Sequence, residues 1–456
     1  MKLLSNILKV LSSSIITFSS NFIIGFILPL YLSVAEYGYY REFILYFNYF
    51  YILNLGFNEG LYIKYGGKSL QEIDTNQLQK EHNTTILIQF IICSILLGVG
   101  VIMNSSMIIV FSIAVFFANV TYFHQLVQQA LSEFSEYSKT NTIKGIATIL
   151  TMLIALTFFQ GRTHIYYIIA LLVAQVILFI YCEVYFYSTM KNRVKGFSTP
   201  KHTKIVFRIG IFMLAANFLR VLVGSIGQWL VKVFTDIEGF AQYSLAGSML
   251  SVVLLVINSV AAVFYTVISR NKDTAKLVAI KNLLLLFGIL SGLAYFVLFY
   301  VIGYFLPDYA PSLEYMKYLI LCVPYLMVIN VIATNLYKTQ VNEKKYFLNM
   351  LSILILTMGL ITILFLIFEE PVVAAIGTTV MYILWFFIMT IKTFPFLKSN
   401  KRYNLLLLSH FIVYLSCSSF LTNFTGMVVY ILYCFVAIFV CKKDIYGILN
   451  YLKQKK

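Results

Sequence analysis

Long apolar runs, each close to the length at which a helix crosses a bilayer, dominate this chain. A hydrocarbon core about 30 Å thick takes roughly 20 residues of helix. Applied along the sequence, that length predicts about fourteen spans, near 11–32, 42–65, 85–103, 107–131, 143–160, 165–187, 205–233, 241–268, 283–306, 314–337, 346–368, 372–391, 405–421 and 426–441. Runs this uniform exclude a closed β-barrel, whose strands alternate over about ten residues. Composition agrees: 60% of the 456 residues are hydrophobic and 11% are charged, which is the signature of a polytopic membrane protein. The first run follows Lys2 and Lys9. It exceeds a signal-peptide core of about 7–15 residues and lacks a small-residue cleavage site, so it reads as a first span.

Charge sets the expected orientation. Of the 34 lysines and arginines, all but Arg41, Arg162, Arg220, Lys232 and Lys317 fall in alternate connections or at the span ends that border them, if the N-terminus is inside. The positive-inside rule then puts both termini in the cytoplasm. The net charge of +16 is thereby a topology signal and a means of contacting anionic lipids. Basic clusters in short loops between spans form no duplex-binding face, so no nucleic acid partner is expected.

Arg220 is the residue that this accounting leaves most exposed to question. It lies near the middle of the run 205–233, with Asn217 about one turn before it and Lys232 near the far end. A guanidinium at the centre of a membrane helix costs roughly 2.5–3.5 kcal/mol on insertion scales. That cost is tolerable where the side chain faces a polar cavity, which points to something anionic, or where it pairs with an acid inside the bundle. Arg41 and Lys232 sit near the outer ends of their spans, within reach of lipid headgroups.

The sequence also echoes itself. Tyr31-Leu-Ser-Val-Ala-Glu36-Tyr-Gly38-Tyr-Tyr40 is matched about 200 residues later by Val233-Phe-Thr-Asp-Ile-Glu238-Gly239-Phe-Ala-Gln-Tyr243-Ser. A weaker echo links Ser132-Glu-Phe-Ser-Glu-Tyr137 to Asn342-Glu-Lys-Lys-Tyr346. Six spans separate equivalent points, so both halves enter from the same side, as in a parallel repeat about an axis along the membrane normal. The expected organisation is an N-terminal lobe at 1–204, a C-terminal lobe at 205–392, and two further spans with a cytoplasmic tail at 393–456.

Phe22-Ile-Ile-Gly25-Phe-Ile-Leu-Pro29, then Ala35-Glu36-Tyr37-Gly38 and Leu53-Asn-Leu-Gly56-Phe-Asn58-Glu59-Gly60, resemble the first two helices of the polysaccharide flippases of the O-antigen type. Gln129-Ala-Leu-Ser-Glu-Phe-Ser-Glu-Tyr137 and Glu238-Gly-Phe-Ala-Gln-Tyr243-Ser-Leu-Ala-Gly are similar to later connections of that family. These flippases belong to the multidrug, oligosaccharidyl-lipid and polysaccharide exporter superfamily. The resemblance implies an all-α, V-shaped pair of six-helix lobes around a central cavity, plus two C-terminal helices. It further implies alternating access, a cargo of undecaprenyl-pyrophosphate-linked oligosaccharide, and a place in the bacterial inner membrane. Polymerase machinery that builds lipopolysaccharide or capsule would be its partner.

Pyrophosphate calls for fixed cations, and a glycan for amides and hydroxyls, all lining a cavity. The expected substrate-binding residues are Arg220, Arg41, Lys232, Asn217, Gln228, Asn21, Asn48, Asn54 and Asn258. Asn217, Arg220, Gly224, Gly227 and Gln228 share one helical stripe, which suits a cavity wall or a helix-packing seam. Gly25 with Pro29, and Gly224 with Gly227, are candidate bends. Glu59 and Glu183, near inner ends of spans, are the candidate ion-coupling acids.

Other chemistries fail on the sequence. Gly67-Lys68-Ser69 ends like a Walker A loop, but the required glycine falls at Tyr62, so no ATPase is expected. His82, His124, His164, His202 and His410 show no ligand spacing, so neither metal nor cofactor is expected. His124 with Gln125, Gln128 and Gln129 reads as a packing patch. The six cysteines, Cys93, Cys182, Cys322, Cys417, Cys434 and Cys441, read as reduced packing residues. The competing functions are a drug-cation exporter of the same superfamily, which calls for a deep acid where Asn21, Asn217 and Arg220 stand, and a membrane-embedded polymerase or acyltransferase. The outer loops are too short for the latter, so the chain reads as a transporter and not an enzyme.

Overall fold

The computed structural model describes residues 16, 19–20, 22–159, 163–190, 193–252, 274–333, 336 and 343–454. Among these residues there is no β-strand, and helices follow one another almost without interruption. The chain folds as two compact units, Met1–Gly224 and Ser225–Lys456.

In the first unit, Ile23–Ile27 is π-helical and passes into a 3-10 turn at Leu28–Leu30. Pro29, which has no N–H to give to an α ladder, lies in that turn. Helix α1 (Val34–Phe47) begins at Ser33, whose hydroxyl accepts the Glu36 N–H at 3.3 Å, a side-chain cap for an orphan donor. The second expected span then breaks. A 3-10 turn at Phe50–Asn54 leads to Leu55 at φ 57° and Gly56 at φ 90° before α2 (Phe57–Tyr65). The left-handed region costs Leu55 about 1–2 kcal/mol, a cost that Gly56 escapes.

Helix α3 (Thr75–Ile102) starts under the carboxylate of Asp74, which accepts from Asn76 and Gln77 at 2.9 and 3.2 Å. It is followed by α4 (Ser106–Ala130), α5 (Phe134–Phe158), α6 (His164–Thr189) and α7 (Pro200–Phe234). Helix α3 packs along α4, α5 along α6, and α4 against α6. Phe90, Ile91, Ile95, Val101 and Ile102 of α3 stay exposed, as befits side chains with lipid for a solvent. The start of α3, up to residue 84, expected as a connection, is helical, and with the expected span that follows it buries Leu78, Glu81, His82, Thr85 and Gln89. Those positions fall on one face by steps of three and four.

The second unit contains α8 over 237–252, α9 (Thr274–Ser291), α10 (Leu293–Phe305), α11 (Ser312–Leu321) and α12 (Val323–Val328), then α13 (Glu343–Phe368), α14 (Val372–Ile388), α15 (Lys401–Ser419) and α16 (Asn423–Gln454). Helix α11 and the segment Val323–Ala333 meet at a 50° bend. Pro324 sits at that bend, and Gly288 of α9 lies so close that a Cβ there would meet Pro324 Cα at 2.3 Å. Lys281, grouped by its charge with the cytoplasmic basic residues, is 1% exposed in α9. Its ammonium donates to Leu397 O at 3.0 Å and to Ser399 Oγ at 2.9 Å.

The internal echo has a local structural counterpart. Asp236 Oδ1 accepts the Gly239 N–H at 2.8 Å, the role Ser33 plays three residues before Glu36. In the same register, Tyr37, Gly38 and Tyr40 are buried in one unit and Phe240, Ala241 and Tyr243 in the other.

Among the described residues, nine helices are long and apolar enough to cross a membrane, or ten if the bent pair counts as one span. The start of the expected first span, 11–15, and much of the eighth lie outside the described residues. The second is broken, and α15, polar at Lys401, Arg402, Asn404 and His410, does not join the nine. All six cysteines are buried free thiols.

Candidate functional site

The interruption between α1 and α2 leaves backbone carbonyls without helical partners, and side-chain amides take them up. Asn119 of α4 donates to Phe50 O at 3.0 Å and to Gln89 Oε1 at 2.9 Å. Gln89 of α3 donates to Leu53 O at 3.0 Å, and Asn58 donates to Asn119 O at 3.1 Å. Asn54, an expected substrate ligand, is buried and accepts the Gly56 N–H at 2.8 Å. In an apolar interior, unpaired carbonyls of this kind cost about 1–3 kcal/mol each, which explains a cluster of amides at a helix break.

That broken segment is pressed against α7. A Cβ on Gly210 would stand 1.8 Å from Gly56 O and 2.4 Å from Gly60 N, and one on Gly60 would stand 2.1 Å from Val206 O. The backbones of α2 and α7 touch there, which only glycines permit.

Arg220 lies ten residues farther along α7 and is exposed. Its charge acts on the hydroxyls of Tyr51 and Tyr122, and among the described residues no carboxylate forms an ion pair with it. Tyr122 also donates to Glu59 Oε1 at 3.3 Å, and Glu59 is fully buried in the first turn of α2, where the helix dipole favours a negative charge. Arg220 thus stands within the electrostatic reach of a Tyr51–Tyr122 pair that also feels Glu59. Arg41 of α1 is half-buried, and its Nε has no hydrogen-bond partner among the described residues. Asn48 is exposed at the C-terminal cap of α1, and Asn217 is half-buried on α7.

The expected stripe on α7 changes character beyond Gly224. A Cβ at Gly224 would meet nothing within 4 Å, whereas one at Gly227 would lie 2.3 Å from the Tyr243 hydroxyl and 2.7 Å from Thr378 Oγ1. Gly227 therefore serves close packing, and α7 runs unbroken through both glycines. Gln228 is half-buried against Gly247, and the Lys232 ammonium lies 6.0 Å from the centroid of the Phe240 ring, the outer limit of a cation–π contact. Asn21, Asn258 and Arg162 lie outside the described residues.

Two further polar clusters in the first unit were not legible from spacing. Lys64 and His202 both reach Glu81, with His202 Nε2 at 2.6 Å, and the Tyr65 hydroxyl donates to the other Glu81 oxygen at 2.6 Å. Glu183, the expected ion-coupling acid of α6, is met by His82 Nε2 at 2.8 Å and His124 Nε2 at 2.9 Å, both on its Oε1. His82 stacks among Phe123, Phe186 and Tyr187, at ring separations of 5.2, 4.6 and 5.9 Å. Gln125 and Gln128 engage the next helix, at Asn141 and Thr140, and leave His124 to Glu183. A signal existed: His82 falls on the buried face of α3, one step from Glu81 and three from Thr85.

No family model and no curated protein sequence matches the chain. Solved structures do. A lipid II flippase, MurJ, in an inward closed conformation superposes with a TM-score of 0.64, covering 96% of this chain and 99% of that one at 19% identity. An outward-facing multidrug resistance transporter of the MATE family, in the MOP superfamily, gives a TM-score of 0.54 over 87% of this chain and 97% of that one, at 11% identity. The chain shares their fold. The relation spans nearly the whole sequence, and it identifies an architecture without carrying over the role of any single residue.

Proposed function

We propose that the protein is a flippase that moves an undecaprenyl-pyrophosphate-linked oligosaccharide, an O-antigen or capsule-type repeat unit, across the bacterial inner membrane by alternating access. The observation that carries this reading is Arg220: an exposed guanidinium within a membrane-length helix, with no carboxylate paired to it among the described residues. A cation in that position has a desolvation cost that a pyrophosphate ligand offsets, through charge-assisted and bidentate hydrogen bonds. The shared fold of a flippase named for lipid II supports a lipid-linked cargo. Arg41 and Lys232 serve as further anion ligands, Asn217, Gln228, Asn48 and Asn54 with Asn21 and Asn258 as sugar ligands, and Glu59 and Glu183 as ion-coupling acids. Both termini are cytoplasmic, and the cargo passes to polymerase machinery on the outer face.

The shared fold of a multidrug transporter favours a second reading, export of a drug cation. The sign of the charge at Arg220 speaks against it, because a cationic drug calls for an acid in that place. Deleting the gene separates the two. The flippase reading expects a lipid-linked glycan to accumulate on the cytoplasmic face and the surface polymer to disappear. Intact polymer with no accumulating intermediate, in a strain without a second flippase, refutes it.

A further inference from the structure

We infer that His82, His124 and Glu183 form a binding site for one divalent transition metal ion of the zinc class, inside the first unit. The three side chains come from three different helices, α3, α4 and α6, and each turns one ligand atom to a common point, all within 4.8 Å of one another. Imidazole nitrogen and carboxylate oxygen are the donors zinc takes, at about 2.0–2.2 Å, and three protein donors with one open position are an established arrangement for it. Around a tetrahedral ion, such bond lengths space neighbouring donors about 3.3 Å apart. The two nitrogen-to-oxygen separations, 2.8 and 2.9 Å, need to open by only about 0.5 Å to admit the ion.

Burial argues in the same direction. His82 is 0% exposed and His124 4%, while the Glu183 side chain keeps 16% of its surface open, so an ion has an approach past the carboxylate to two enclosed imidazoles. The aromatic shell of Phe123, Phe186 and Tyr187 around His82 excludes competing water and strengthens the ion's attraction to the one carboxylate. Helices of 28, 25 and 26 residues hold the donors, and sites on regular elements keep their geometry better than sites on loops.

The surroundings set an expected strength. When Nε2 ligates a metal, the ring proton resides on Nδ1, and metal-bound histidines ordinarily give that proton to an acceptor. His82 Nδ1 is buried with no partner among the described residues. Zinc is therefore expected to bind about 10- to 100-fold more weakly here than at a site with a complete outer shell.

The test uses the full-length chain, purified in detergent without a polyhistidine tag, stripped with a chelator and dialysed against zinc chloride. Retention of one zinc per chain, a zinc-dependent rise in melting temperature, and the visible absorption of a four-coordinate ion when cobalt is substituted are the expected results. Glu183→Gln and His82→Asn should each weaken binding by more than the roughly 100-fold that loss of an outer-shell partner costs. His164→Asn, at the other end of α6, should leave it unchanged. Wild-type protein that retains no zinc overturns the proposal and leaves a hydrogen-bonded triad. Equal retention by the wild type and by a His82→Asn, Glu183→Gln double variant overturns it as well. Should the single variants fail to fold, the wild-type stoichiometry and thermal shift still decide.

Discussion

Replacing Arg220 tests the proposed function at its most exposed point. A hydrogen bond to a charged group is worth about 1.5–3 kcal/mol, so removing the guanidinium from a pyrophosphate should lower transport about 10- to 150-fold at the usual 1.4 kcal/mol per decade. Stability should move the other way. Arg220 is exposed and has no ion pair among the described residues, and Ala in mid-helix relieves an insertion cost of roughly 2.5–3.5 kcal/mol. Arg220→Ala should therefore insert at normal abundance and fail to export polymer. Arg220→Lys should recover part of the loss, because the ammonium keeps the charge without the planar fork. Membrane abundance by immunoblot and surface polymer by gel electrophoresis give the two readouts. Full export by Arg220→Gln at normal abundance refutes the anion-ligand role. A fall in abundance on Arg220→Ala, restored by Glu59→Gln, would show instead a structural pairing of charges.

Gly210→Ala should destabilise the first unit by at least the roughly 1–3 kcal/mol of an overpacked core, because its Cβ would stand 1.8 Å from Gly56 O; Gly224→Ala, with open space around its Cβ, should melt no lower than wild type, and equal melting temperatures for the two variants would contradict the described seam. Asn119→Leu, which strips Phe50 O and Gln89 Oε1 of their donor, should cost about 1–3 kcal/mol per orphaned group, and an unchanged thermal denaturation midpoint would count against it. For topology, cysteines placed at Ala310 and Thr422 should react with a membrane-impermeant thiol reagent in intact cells and one at Lys195 should not. All three positions are exposed, whereas Ser312 beside the first is fully buried. The reverse pattern of labelling would invert the orientation.

Much of the helical architecture can be read from hydropathy because the outward-facing side chains of its membrane-length helices are apolar: Ile91, Ile95 and Ile102 of α3 are exposed. The places that escaped are those where polarity is satisfied inside the protein. Thr75 to Thr84 looks like a connection because it holds Asn, Gln, Lys, Glu and His, yet Glu81 pairs with Lys64 and accepts from the Tyr65 hydroxyl, and His82 meets Glu183, so a helix buries them. A window that averages hydropathy has no access to partners 16 or 101 residues away. The break at Asn54–Gly56 escaped for a related reason: its apolar neighbours mask a turn whose cost is met by Asn119 and Gln89 from other helices. Arg220, Arg41 and Glu59 were legible as polar residues in apolar runs. That Asn54 caps a turn and Gly227 packs on Tyr243 depends on contacts that periodicity does not contain.

The glycine contact between α2 and α7 bears on how the proposed transport can proceed. Gly210, where the two backbones meet, and Arg220 are ten residues apart on one continuous helix, about 15 Å at 1.5 Å per residue. Two backbones in van der Waals contact have no side chains to slide or re-rotamerise between them, so the joint behaves as a weld. Arg220 is thereby carried at the end of a short, stiff arm whose base is fixed in the first unit. In a carrier that exposes its cargo first to one aqueous phase and then to the other, such an arm delivers a charge by moving whole and not by bending.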